Sequence, residues 1–179
     1  MEVLAATFLL SVGLVSMAAL LGGCLKTTRQ SKYVSLATAL ASEKLEDLSR
    51  WDSDDQQIYA PSGGTSGSLT SNTSQNVTSS GVTIYVDYYD QIQLSATGGS
   101  FSETVSSSSG NYTTTSHQPS GIISVTTSTT APSAVSFLRR WIIEKDTPVT
   151  GVRRITVWVQ AQDPAVQPPV TFQMSMVRP

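Results

Sequence analysis

Cysteine, histidine and charge are all scarce in this chain. One Cys excludes an internal disulfide framework and a Cys-based zinc site. One His leaves little material for His-dependent catalysis or metal chelation. Charged residues fill 13% of the 179 positions, against roughly 25% in soluble domains. The net charge of −2 offers no concentrated basic surface, so no nucleic-acid partner is expected. Two gaps sit inside these averages. Residues 3–25 carry no charge, and residues 51–138 hold no Lys or Arg. Small hydroxyls stand in for the missing polarity, with 28 Ser and 22 Thr. This is the pattern of an anchor joined to an extracytoplasmic domain. It calls for no cofactor and no metal.

The charge-free run reads V-L-A-A-T-F-L-L-S-V-G-L-V-S-M-A-A-L-L-G-G-C-L. As a helix it spans ~35 Å, enough for a bilayer core of about 30 Å. Thr7, Ser11 and Ser16 can return their hydroxyls to the preceding turn. A buried core helix is the bland alternative, but a small domain seldom hides so long an uncharged run.

Helical spacing continues beyond Leu25. Tyr33, Leu36, Ala37 or Ala41, Leu40, Leu45, Leu48 and Trp51 recur in steps that fit a period of 3.6. Glu43, Lys44, Glu46, Asp47 and Arg50 fill the other face, with Glu46 and Arg50 spaced i, i+4. The pattern predicts one helix ending near Trp51, where Asp52-Ser53-Asp54-Asp55 interrupts it. Gly22-Gly23 is its weak point and a candidate hinge, since each Gly costs up to about 1 kcal/mol relative to Ala. Lys26, Arg29 and Lys32 follow the apolar run directly, whereas only Glu2 precedes it. The positive-inside rule would then leave the C-terminal part in the cytoplasm, against its export-like composition. A basic leader upstream of Met1 would remove the conflict.

Met1-Glu2-Val3-Leu4-Ala5-Ala6-Thr7 with the apolar run, followed by Leu36-Ala37-Thr38-Ala39-Leu40-Ala41-Ser42-Glu43-Lys44-Leu45-Glu46-Asp47-Leu48, resembles the N-terminal helix of type IV pilins. The closer likeness is to minor pilins and pseudopilins, including those of the pilus-modification type. In that family a basic leader ends in Gly, and a Phe-Thr-Leu-type tetrapeptide precedes the glutamate. Met1 aligns with the apolar residue before that glutamate and Glu2 with the glutamate itself. The resemblance implies that Glu2 pairs with the N-terminal amine of a neighbouring subunit during assembly. It implies other pilin or pseudopilin subunits, the inner membrane, an assembly platform and a prepilin peptidase as partners. It also implies a single-pass helix in a bacterial inner membrane with a periplasmic C-terminal domain, then a place in a pilus or a type II secretion pseudopilus.

Residues 52–80 read as a Ser/Thr/Gly-rich connecting loop, and strand signals begin at Gly81. Val82, Ile84, Val86 and Tyr88 alternate, and Gln91-Ile92-Gln93-Leu94-Ser95 continues the alternation. Residues 106–120 form a second polar stretch, followed by a short strand at 122–127. Residues 134–144 place Val135, Phe137, Arg139, Trp141 and Ile143 on one side. Residues 152–160 place Ile155, Val157 and Val159 on one side, and 170–177 give a third strand. Short links between the last three predict an antiparallel meander. Residues 81–179 thus form an antiparallel β-sheet domain packed on residues 26–51 of the helix, an α+β fold, while residues 1–25 form the transmembrane and assembly segment. The resemblance implies the same arrangement.

Other candidates are weaker. His117 lies in low-complexity sequence and is not expected to be catalytic. Leu21-Gly22-Gly23-Cys24 resembles a lipobox, which makes Cys24 an alternative lipidation site, but Met-Glu is not a basic n-region. Asp52, Asp54 and Asp55 lack the Gly and distal Glu of a calcium loop and read as a solvated helix end. The sequons at Asn72, Asn76 and Asn111 are expected by chance in so Ser/Thr-rich a chain. Arg139, Arg140, Arg153 and Arg154 read as cross-strand partners of Glu144 and Asp146 on a solvated face. The expected function is a non-enzymatic minor pilin or pseudopilin subunit. The alternative is a lipid-anchored bacterial surface or binding protein using Cys24.

Overall fold

The computed structural model describes residues 2–95, 99–107, 109–164 and 166–179. Met1, which carries part of the resemblance above, and Ser108, within the second polar stretch, lie outside these residues. The chain is α+β, with one long helix, α1 (Glu2–Arg50), packed on a C-terminal antiparallel sheet. The helix has 49 residues, or ~74 Å of length. It stops where the sequence predicts. Arg178 Nη1 reaches the carbonyls of Ser49 (3.0 Å) and Trp51 (2.6 Å), so a cation satisfies acceptors that a helix C-terminus leaves open. A 3-10 turn, Gln56–Ile58, follows, with the Asp55 carboxylate accepting from the Gln57 N–H at 2.8 Å.

Among the described residues ten strands follow: β1 (Thr65–Gly67), β2 (Ser74–Ser79), β3 (Val82–Asp87), β4 (Tyr89–Leu94), β5 (Phe101–Ser106), β6 (Tyr112–His117), β7 (Ile123–Ser128), β8 (Phe137–Lys145), β9 (Arg153–Ala161) and β10 (Thr171–Arg178). The main sheet runs β10-β9-β8-β4-β5-β6-β7, and β1 also pairs with β8. Strands β2 and β3 form a separate hairpin. The predicted meander is present as β8, β9 and β10, each pair antiparallel.

Ala37, Leu40, Ala41, Leu45 and Leu48 form the buried stripe of α1, and they share one core with Phe137, Trp141, Ile143, Ile155, Val157 and Val159. The alternation along β8 and β9 puts these residues on the face turned to the helix. Tyr33 is the first aromatic of α1 to meet the sheet domain: its ring lies 5.6 Å from that of Phe137, and its hydroxyl donates to Asp163 Oδ2 at 2.7 Å.

Two sequence expectations need correction. The segment 52–80 is not merely a connecting loop, for it contains β1 and β2 and buries Ile58, Ala60, Ser66 and Val77. The polar stretch 106–120 contains β6. Threonine is β-branched and suits a pleated surface, and hydroxyls on both faces erase the apolar alternation that marks a strand. The hydroxyls pair across strands instead: Ser102 with Ser116 at 2.8 Å, Thr104 with Thr114 at 2.9 Å, and Thr156 with Ser175 at 2.8 Å. The alternation read through 82–95 also spans two sheets, since β3 belongs to the hairpin and β4 to the main sheet.

Candidate functional site

Among the described residues, nothing covers the first half of α1. Every residue from Ala6 to Arg29 is exposed, including Leu9 at 70% and Leu25 at 72%. Its most apolar 18-residue window has a mean hydropathy of 2.2, so the helix is long and apolar enough to cross a membrane. The hydroxyls of Thr7, Ser11 and Ser16 donate to the carbonyls of Val3 (3.0 Å), Phe8 (2.7 Å) and Val12 (2.9 Å). Their polarity is thereby spent inside the helix. Glu2 lies exposed in the first turn, where a carboxylate complements the helix dipole. The helix is continuous through the candidate hinge. Gly22 and Gly23 are helical, and apart from their own stretch of helix no atom lies within 4 Å of where a Cβ would stand. Cys24 is exposed and free, inside the same helix.

The second half of α1 is clamped by a buried ion network. Asp90 on β4 stands directly opposite Arg139 on β8. Both side chains are fully buried. Arg139 Nε donates to both Asp90 oxygens at 3.1 Å, and Nη2 donates to Asp90 Oδ2 at 2.6 Å and to Glu103 Oε1 at 2.5 Å. Its remaining nitrogen, Nη1, donates to the Leu40 carbonyl of α1 at 2.9 Å and lies 3.9 Å from Glu43 Oε2. One guanidinium therefore joins β4, β5, β8 and the middle of the helix. Burial works against its charge, but Asp90 and Glu103 hold its pKa above the ordinary value. Burial also opposes ionisation of Glu103, and the positive charges of Arg139 and Lys44 with the Arg139 hydrogen bond outweigh it, leaving the carboxyl below its usual range.

This placement corrects the reading of Arg139 as a solvated cross-strand partner of Glu144 or Asp146. Arg154 does pair with Glu144, through bonds of 2.6 and 2.8 Å. Asp146 instead accepts backbone N–H groups, from Gly63 at 3.0 Å and Gly151 at 2.8 Å. Those two bonds, the Gly151 one first, lower its pKa. Arg153 is buried, while Arg140 stacks 4.9 Å from the Trp158 ring and donates to Asn72 Oδ1 at 3.0 Å. The sequence carried a signal for the network: Arg139 falls on the apolar row of β8 and Asp90 on the row shared with Ile92. An acid and a base on the apolar rows of two strands are best accommodated as a buried pair.

His117, in the low-complexity stretch, ends β6. Its ring stacks on Phe101 at 4.5 Å, and Nε2 lies 3.9 Å from Glu103 Oε2. Asp52 is exposed and Asp54 is exposed, while Asp55 caps the 3-10 turn. Asn76 lies in β2, and Asn111 in the link between β5 and β6, where its backbone carbonyl accepts from the Ser107 N–H at 2.7 Å. Among the described residues, no group of three or more His, Cys, Asp or Glu is placed to hold a metal ion. The site features are therefore an uncovered apolar helix and the brace that fixes it to a sheet. No protein-family model, curated protein or solved structure matches the chain.

Proposed function

We propose that the chain is a non-enzymatic minor pilin or pseudopilin subunit of a type IV pilus or type II secretion pseudopilus. One observation carries this reading: a single continuous helix whose first half is apolar and uncovered and whose second half is braced on an antiparallel sheet. So large an apolar surface demands lipid or other helices. A subunit that is anchored first and packed in a bundle later uses the same residues for both. The rigid junction to the sheet lets the domain follow the helix out of the membrane. Glu2 at the helix start would neutralise the amine of a neighbouring subunit, offsetting the cost of a carboxylate in an apolar setting, about 2.5–3.5 kcal/mol. The partners of this reading are other pilin-like subunits, the inner membrane, the assembly platform and the prepilin peptidase, with the sheet domain on the periplasmic side.

The test is to shear surface fibres from the source cells and quantify peptides of this chain in the fibre and membrane fractions. The reading expects the chain in both fractions and expects Glu2→Ala to deplete it from the fibre fraction while membrane levels persist. Complete absence from sheared fibres and from isolated secretion complexes would overturn it. The exposure of Cys24 supports a second reading, a lipid-anchored surface protein. That reading expects an acylated Cys24 at the mature N-terminus, which mass spectrometry detects directly. The unbroken helix on both sides of Cys24 favours the first reading, because a lipid tether needs no helix before or after it.

A further inference from the structure

Between the apolar run and the sheet domain lies a basic niche. Lys26, Arg29 and Lys32 follow Leu25 directly and are exposed. Steps of three residues place them within an arc of ~120° on the helix. That arc overlaps the side that carries Tyr33 and Leu40, so Lys26 and Arg29 lie beneath the overhang of the sheet domain. The niche they wall has a volume of about 600 Å³ and is roofed by Tyr33 and Asp163. The Asp163 carboxylate is engaged by the Tyr33 hydroxyl, which raises the Tyr33 pKa above its ordinary value. Three cations against one carboxylate leave the niche net positive.

Its lower wall lies at the height of a membrane interface, since Lys26 and Arg29 stand only ~1.5 and ~6 Å above Leu25. From Leu25 to Tyr33 the helix rises ~12 Å, and the polar layer on each side of a bilayer core is about 5–8 Å thick. With Leu25 at the edge of the hydrocarbon, the niche opens onto the headgroups and the domain sits just above them. We propose that this niche binds the headgroup of an anionic phospholipid of the bilayer that α1 crosses. Its phosphodiester is held by Lys26, Arg29 and Lys32 beneath the Tyr33–Asp163 contact. The proposal rests on the membrane reading of α1 and adds a function to it: the lipid grips the subunit at the surface until assembly removes it.

The test reconstitutes the full chain into nanodiscs of equal phosphatidylglycerol and phosphatidylcholine. Gentle detergent extraction and native mass spectrometry then count the lipids that stay bound. The wild type is expected to retain phosphatidylglycerol about tenfold over phosphatidylcholine. K26Q/R29Q/K32Q is expected to fall to near parity, each single substitution to lower the ratio about two- to threefold, and Arg50→Gln, outside the niche, to leave it unchanged. Parity in the wild type, or undiminished enrichment in the triple variant, overturns the proposal while α1 remains a membrane helix. A chain that does not enter the discs at all overturns the membrane reading and this proposal together.

Discussion

Arg139 and Asp90 face each other across β8 and β4 with no solvent exposure on either side chain, and the same guanidinium holds the Leu40 carbonyl of the helix. A buried pair of this kind is costly to break from one side, because the surviving charge is left without compensation. Arg139→Met is expected to destabilise the chain by about 3–5 kcal/mol. The double variant Arg139→Met with Asp90→Leu is expected to recover at least half of that loss. Denaturant unfolding of the detergent-solubilised chain, followed by near-UV circular dichroism, measures both. Strictly additive losses would contradict the coupling.

Two carboxyls give stability opposite slopes with pH. The folded pKa of Glu103 is lowered, so its contribution is present above the unfolded value of about 4.3 and is lost as pH falls through the folded value. Asp87 behaves the other way. Burial, aided by the charge of Asp90 and opposed by the Ser106 hydrogen bond, raises its pKa to about 6. Its contribution is complete below the unfolded value of about 3.9 and is lost as pH rises through about 6. The melting temperature is therefore expected to peak near pH 4, where both contributions are nearly complete, and to decline from there to about pH 6. Asp87→Asn is expected to flatten the decline toward pH 7 and to gain about 1 kcal/mol there, once solvent screening of this half-exposed group is allowed for. A pH profile of melting for both proteins decides it.

Gly67 has φ +88°, and a Cβ there would stand 2.8 Å from the Tyr88 ring and meet the Trp141 carbonyl as well. Gly67→Ala is expected to cost about 3 kcal/mol or more, lowering the melting temperature by roughly 6–12 °C. Gly151, at φ +85° with open space around it, is the control. There the alanine is expected to cost only about 1–2 kcal/mol. Equal losses at the two sites would show that packing at Gly67 is not what matters.

The helix was the most legible element in the sequence. The stripe from Tyr33 to Leu48 and the acidic interruption after Trp51 placed its end within a residue of Arg50. Strands β8, β9 and β10 were legible because their apolar residues alternate and short turns separate them. The Ser/Thr strands were not. In β6, Tyr-Thr-Thr-Thr-Ser-His offers nearly the same chemistry on both faces, so no period of two emerges. The brace was half visible: Arg139 could be placed on the apolar row, but its partner Asp90 is 49 residues away in sequence and is brought opposite only by the pairing of β4 with β8.

Gly22 and Gly23 lie within continuous helix and touch nothing that a methyl group would disturb. Replacing both by Ala is expected to favour helix by about 1 kcal/mol each. If the pair serves as a hinge, spin labels at Leu14 and Val34 in detergent should give a broad distance distribution that narrows in the double variant. Identical distributions would show that the pair does not bend.

The central claim is that the uncovered apolar half of α1 packs against the corresponding helix of another subunit. The most direct measurement is site-specific photo-crosslinking from Leu14, which is 61% exposed, in cells that carry surface fibres. The account predicts that crosslinks in the sheared fibre fraction map to the N-terminal apolar helix of another pilin-like subunit, while those in the membrane fraction include lipid. Crosslinks confined to lipid in every fraction, with no protein adduct at Leu14, would contradict it.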